Sequence, residues 1–211
     1  MKLLPIEDFS TDHPAWPEML SLLGSGPARY MERKPLAPYG GCYWLSEEMA
    51  EKHQAEMVPG WRVHWVKDLY IEAVHHGVIR KGDAWLDPHD VQPGGLQRQP
   101  GRTLFVEDHT HPLDLRWPVL VENRFVVLNP DEDIAKLVLA YKVNNQAQCA
   151  RRDARRAVLG TTWSIRGGWR GPGAQKSGFF DVQLEASHRQ FGDLHAKLRD
   201  RYFPEPKEEA G

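Results

Sequence analysis

The sequence predicts an α+β protein with a small antiparallel sheet, several helices and a long central loop. Three observations point there. Strand-like runs at Thr103–Glu107, Pro118–Val121 and Arg124–Leu128 lie close together. Directly after them comes a strong helix start, Asn129-Pro130-Asp131-Glu132-Asp133. A hydrophobic content of 41% beside 27% charged residues is enough to bury a core over 211 positions, which excludes wholesale disorder.

Taken in order, prolines 5, 14, 17, 27, 35 and 38 break the first forty residues and leave room for one short helix, Pro17–Leu23. Ser46 followed by Glu47 and Glu48 reads as an N-cap, because its hydroxyl accepts an orphan amide and the acids suit the dipole. That helix should end near Met57, before Pro59-Gly60. A second helix is expected over about Lys67–Gly77, with Leu69, Ile71, Val74 and Val78 on its apolar side and Gly77 as its stop. Residues 81–101 are rich in Gly, Pro, Asp and Gln and read as the long exposed loop. After the three strands, Asn129 caps a helix that runs toward Leu159, with Gly160 as its stop. Thr161–Arg166 and Phe179–Glu185 read as strands around a glycine-rich loop, and Ser187–Tyr202 as a closing helix.

This order suggests a mainly helical part over 1–100, an α+β part over 102–203 and a loose tail over 204–211, or all of it as one domain. No run of 18 apolar residues occurs, and Met1-Lys2-Leu3-Leu4-Pro5 lacks a signal-peptide core. A soluble, cytoplasmic protein without a membrane partner is therefore expected. Two cysteines, Cys42 and Cys149, are too few for a disulfide framework or a four-Cys zinc site.

Charge is concentrated although the whole is nearly neutral, with 27 basic and 29 acidic residues. Arg151, Arg152, Arg155, Arg156, Arg166, Arg170 and Lys176 fall within 26 positions that hold one acid, Asp153. The first four recur at i,i+4 and so form a band along one helix. Trp163 and Trp169 interleave with Arg166, Arg170 and glycines downstream. Arg forks onto phosphate and Trp stacks on bases, so nucleic acid, DNA or RNA, is the expected partner. Seven phosphate contacts would give a salt slope of about −5 to −6. A solvated helix face is the structural alternative. Eight tryptophans suggest a further use, an assembly surface for a protein partner or a homo-oligomer.

The densest chemical segment is Glu107-Asp108-His109-Thr110-His111-Pro112-Leu113, followed by Asn123 fourteen positions after His109. The Asp-His pair, the Pro-Leu after it, the later Asn and the strand, loop, strand, helix order resemble the ββα-metal finger of HNH-type nucleases, over about residues 103–145. The resemblance implies a divalent-metal-dependent endonuclease, in the style of a phage or mobile element. His109 would be general base, Asn123 its orienter and Asp108 a ligand of Mg²⁺ or Mn²⁺, with Asp131, Asp133 or Asn144 completing the site. No Cys pairs flank the segment, and Asp114-Leu115-Arg116-Trp117-Pro118 stands where such fingers carry a glycine-rich turn. A non-catalytic nucleic-acid-binding or ribonucleoprotein subunit, or an inhibitor of such a machine, is the alternative from another class.

Two other constellations compete. His109 and His111, with Asp108 or Asp114 and with Asp87 and His89, would suit a His/carboxylate metal site. Cys42, in Gly40-Gly41-Cys42-Tyr43-Trp44 just before a helix, would suit a nucleophilic thiol, its histidine any of ten. A small apolar Cys packed among Tyr and Trp is the structural alternative there.

Overall fold

The computed structural model describes residues 3–24, 26–37, 40–90, 101–175 and 179–204. The chain is α+β. Its strands are β1 (Glu7–Asp8), β2 (Ala28–Ala37), β3 (Glu56–Val66), β4 (Tyr70–Lys81), β5 (Ala84–His89), β6 (Gly101–Glu107), β7 (Arg124–Val127), β8 (Thr162–Ser164) and β9 (Gly168–Arg170). Its helices are α1 (Trp16–Leu23), α2 (Cys42–His53), α3 (Glu132–Arg156) and α4 (Phe179–Tyr202). Among the described residues no helix is long and apolar enough to cross a membrane.

The main sheet runs β1-β3-β6-β2-β5-β4-β7, and an added β3–β4 pairing closes β3, β6, β2, β5 and β4 into a five-stranded barrel. Closure leaves those five strands without a free edge. The sheet is mixed, because β2 and β5 run parallel while the other pairs are antiparallel.

Successive strand residues point to opposite faces, so the barrel builds two cores from one set of strands. The inner face holds Met31, Val58, Val78 and Phe105, with Trp85 packed on them. The outer face holds Trp61, Val63, Ile71, Ala73, Leu104 and Val106, covered by Met19 and Leu23 of α1 and by Val126 of β7. A third cluster joins Leu4, Val66, Leu69 and Tyr70 to Ile134 and Leu137 of α3 and Leu198 of α4.

Several expectations are corrected. The helix expected over Lys67–Gly77 is β4, hydrogen-bonded residue for residue to β3 from Tyr70 to Arg80. Burial on both faces removes the alternation that marks a strand, and tertiary pairing overrides local pattern. Residues 81–90 carry the end of β4 and all of β5 rather than an exposed loop, and residues 91–100 lie outside those described. Pro118–Val121 is irregular, and Phe179–Glu185 is the first part of α4. The early prolines do not prevent β2, whose ten residues include Pro35. α3 is capped by Asp131, whose carboxylate accepts from the Asp133 N–H at 2.8 Å, not by Asn129. Among the described residues of the first hundred, strands outnumber helices, and a boundary near residue 100 would divide one sheet, since β6 pairs with both β2 and β3. The sheet is neither small nor wholly antiparallel.

Candidate active site

α2 begins four residues before the expected Ser46 cap. Gly41, with φ of 68°, supplies the left-handed turn that starts the helix at Cys42. The first N–H groups of α2 receive no side-chain cap, so they point out from the helix end beside the thiol. Ser46, freed from capping, donates to the Gly77 carbonyl at 2.9 Å and lies 2.9 Å from His89 Nε2. These contacts draw α2 across β4, and Gly77 lets it approach. A Cβ there would stand 3.2 Å from Tyr43 Cα and 3.3 Å from the Cys42 carbonyl oxygen.

His75 and His76 are consecutive in β4 and therefore diverge. His76 lies beside Gly60 in the register, on the inner face, and is buried. Its Nε2 is 2.8 Å from Asp87 Oδ1. Asp87, on β5, is fully buried, with Thr103 Oγ1 donating to it at 2.7 Å and the His89 N–H at 3.2 Å, and it forms an ion pair with Arg62 Nη1 at 3.9 Å. With Nε2 taken by Asp87, Nδ1 is the nitrogen left for the Cys42 thiol, whose ionisation His76 favours.

The electrostatics follow. Burial resists ionising the Cys42 thiol. The His76 charge and hydrogen bond, a Gly77 backbone hydrogen bond and the Arg62 charge outweigh it and lower the thiol pKa. Burial likewise resists the His76 imidazolium, but Asp87, with help from Cys42, raises it against Arg62. Burial of Asp87 is overcome by His76, Arg62 and Thr103, which hold its carboxyl well below the usual carboxylate range. Each group favours the charged form of the next. Cys149 contrasts: burial raises its thiol pKa, and it contacts the Leu120 carbonyl and Asn145.

Cys42 is half-buried and lines a cleft of about 470 Å³. Val119, Leu120, Val121 and Phe125 supply apolar wall, and Asn123, Asn145 and Gln148 supply amides. A neighbouring cleft of about 630 Å³ shares Val119–Glu122 and is lined further by His111, Trp117, Arg124, Arg152 and Arg156.

The residues singled out in the sequence are dispersed. Asp108 is buried and turned toward His75 and His111, whereas the His109 side chain is 72% exposed and 3.6 Å from Glu107. Asn123 donates to Glu72 at 2.7 Å rather than to His109. β6 and β7, which flank this segment, are not sheet neighbours. Asp131 and Asp133 tie α3 to α4 through Arg201, Tyr202 and Lys197, and they do not join Asp108. In the basic band Arg151 pairs with Asp181, Arg152 with Asp153, and Arg166 with both oxygens of Glu48. Arg155 and Arg156 lie over Trp169 and Trp117. Trp163 packs on Trp44, Trp169 stacks on Trp117, and Arg170 is exposed. Lys176 lies outside the described residues.

Cys42 was thus readable as a candidate nucleophile, but its partners were not. His76 was placed on a helix, and Asp87 in an exposed loop assigned to a metal. A His and an Asp eleven positions apart on two adjacent strands would have been the signal, had β4 been read as a strand. No protein-family model, no curated protein and no solved structure matches the chain.

Proposed function

We propose that the chain is a cysteine-nucleophile hydrolase or acyl transferase, with Cys42, His76 and Asp87 in named roles. The observation that carries this is a half-buried thiol at the start of α2 that lines a cleft, backed by a buried imidazole that is itself 2.8 Å from a buried carboxylate. The Cys42 thiolate attacks an ester, thioester or amide carbonyl carbon, and the developing oxyanion is met by the uncapped N–H groups at the start of α2. His76 gives its proton to the leaving group as the tetrahedral intermediate collapses to a thioester. It then takes a proton from water, or from an acceptor alcohol or amine, whose attack releases the acyl group and restores the thiol pair. Asp87 holds the ring in one orientation and favours its charged form.

The test is release of nitrophenol from p-nitrophenyl acetate, with an acyl-enzyme trapped and located by mass spectrometry. A burst with acyl on Cys42, absent in Cys42→Ala and His76→Gln, supports the proposal. Acyl found equally on Cys149, or turnover unchanged in Cys42→Ala, overturns it.

A second reading retains nucleic acid as partner, on the observation that Arg152, Arg156 and Trp117 line one cleft beside the thiol's. Binding or cutting of plasmid or RNA with Mg²⁺ or Mn²⁺ tests it. Loss of cutting in His109→Ala supports an endonuclease, and loss of retention alone in Arg152→Glu with Arg156→Glu supports a binding module.

A further inference from the structure

The face of β4 opposite His76 carries a second constellation. His75, Asp108 and His111 come from β4, from just past the end of β6 and from the following segment, and their ligating atoms lie within 4.8 Å of one another. His75 Nε2 is 2.9 Å, and His111 Nδ1 2.5 Å, from the same carboxylate oxygen, Asp108 Oδ2. We propose that these three residues form a binding site for Zn²⁺, with a fourth position open beside His111. The site shares no ligand with the thiol centre and stands or falls separately from it.

The donor set decides the class of metal. Two imidazoles and one carboxylate suit Zn²⁺, with Co²⁺ as a surrogate, whereas Mg²⁺ prefers an octahedron of oxygens. The outer contacts aim each ligand. Asp108 Oδ1 is held by the Thr110 N–H at 2.9 Å and its hydroxyl at 2.6 Å, which turns Oδ2 toward the imidazoles. The Tyr43 hydroxyl sits 2.7 Å from His75 Nδ1 and 3.0 Å from the His75 carbonyl oxygen. When that hydroxyl donates to the carbonyl, Nδ1–H donates to it in turn. The Nε2 lone pair then faces a carboxylate at hydrogen-bond distance, an arrangement that calls for a cation between them. Outer partners of this kind fix the tautomer and ring orientation of ligating histidines.

The surroundings give the site a closed side and an open one. The Trp61 ring packs edge-on against both imidazoles, at 4.9 and 5.6 Å. The His111 side chain is 34% exposed and lines the cleft that also holds Trp117 and Arg156. That cleft is the entry path, and water or a substrate oxygen would take the fourth position. Residues 108–123 carry no helix or strand, and their Val119–Asn123 stretch walls the thiol's cleft. An ion on His75, Asp108 and His111 would therefore pin this wall to β4, a clip whose benefit grows with the length of chain it closes.

The test uses the full chain, stripped with a chelator and titrated with ZnCl₂ by calorimetry in a Cys42→Ala background, so that no thiol contributes. Saturation at one ion per chain, weakened on the order of 100-fold by His111→Ala and by roughly 10- to 100-fold by Tyr43→Phe, supports the site. Co²⁺ loaded into the same background should give the visible band of a tetrahedral centre without thiolate charge transfer. His111→Gln repeats the comparison should the alanine variant fail to fold. Absence of binding, binding unchanged in both His111 variants, or binding lost on Cys42→Ala alone overturns the proposal.

Discussion

At the scale of single residues, the chemistry depends on which charge each side chain is made to carry. With the Cys42 pKa lowered and that of His76 raised, both shifts favour the thiolate–imidazolium pair over the neutral one. Alkylation of Cys42 by iodoacetamide should therefore be faster at neutral pH than that of Cys149, whose pKa is raised. As pH falls through the lowered thiol pKa, labelling is lost. As pH rises through the raised imidazole pKa, labelling stays while ester turnover declines, because the general acid has gone. His76→Gln should move the labelling midpoint upward, since burial then acts on the thiol without its largest counterweight. Asp87→Asn leaves the side chain's shape but removes the charge that favours imidazolium, and turnover should fall by roughly 10²- to 10⁴-fold. An unchanged labelling profile in His76→Gln would show that the thiol is not paired to that ring.

At the scale of elements, the site exists because α2 can lie against β4. Gly77 permits that approach, so Gly77→Val should displace α2, cost about 1–3 kcal/mol in urea unfolding and slow Cys42 labelling. A variant with full stability and unchanged labelling would mean that α2 is positioned by other contacts. The α3–α4 layer is a separate matter. Leu137 is fully buried between β4 and α4, among Leu4, Tyr70 and Leu198, and Leu137→Ala should cost about 2–5 kcal/mol. Its labelling rate at neutral pH should stay near wild type, because this cluster does not touch the thiol. The two substitutions together distinguish elements that hold the site from elements that hold the fold.

At the scale of the whole molecule, buried neutral histidines set the response to acid. His195 of α4 is buried, and its Nδ1 accepts from the Leu4 N–H at 3.3 Å, which ties the closing helix to the start of the chain. Burial pushes His195 down to about 4, and burial with the neighbouring His76 pushes His89 down to about 3. Unfolded chains bind these protons near pH 6.5 while the folded protein does not, so stability falls as pH drops from about 6.5 toward those values. At pH 5 the His195 contribution is on the order of 2 kcal/mol, or about 4–8 °C in Tm for a chain of this size. His195→Gln should shrink the Tm difference between pH 7.5 and pH 5 by about that amount, and an undiminished difference would place the acid-labile groups elsewhere. The tryptophans are also explained at this scale. All eight pack within the chain, in the outer core, inside the barrel or in the Trp44–Trp163 and Trp117–Trp169 pairs.

Local chemistry made part of this legible in advance. The α+β class, the short helix expected at Pro17–Leu23 and the acid-rich start of α3 follow from signals within a few residues of one another, whereas α2 starts at Cys42 and not at the expected Ser46 cap. The unusual thiol position at Cys42 followed from the same kind of signal. What local pattern did not contain was pairing. β4 is buried on both faces, so its apolar residues carry no period, and it looked like a helix until β3 and β5 were laid beside it. The helix expected over Lys67–Gly77 would have carried His75 and His76, although on a strand they point to opposite faces and serve two separate sites. Asp87 stands in a stretch dense in polar residues that reads as exposed loop, although barrel closure places it in the fully buried interior. The sequence by itself determined which groups were available: a thiol, an imidazole pair, carboxylates and arginines. Only the closed sheet decided which of them meet, because the pairing of His76 with Asp87 and of His75 with Asp108 depends on long-range hydrogen bonding that no short window of sequence encodes.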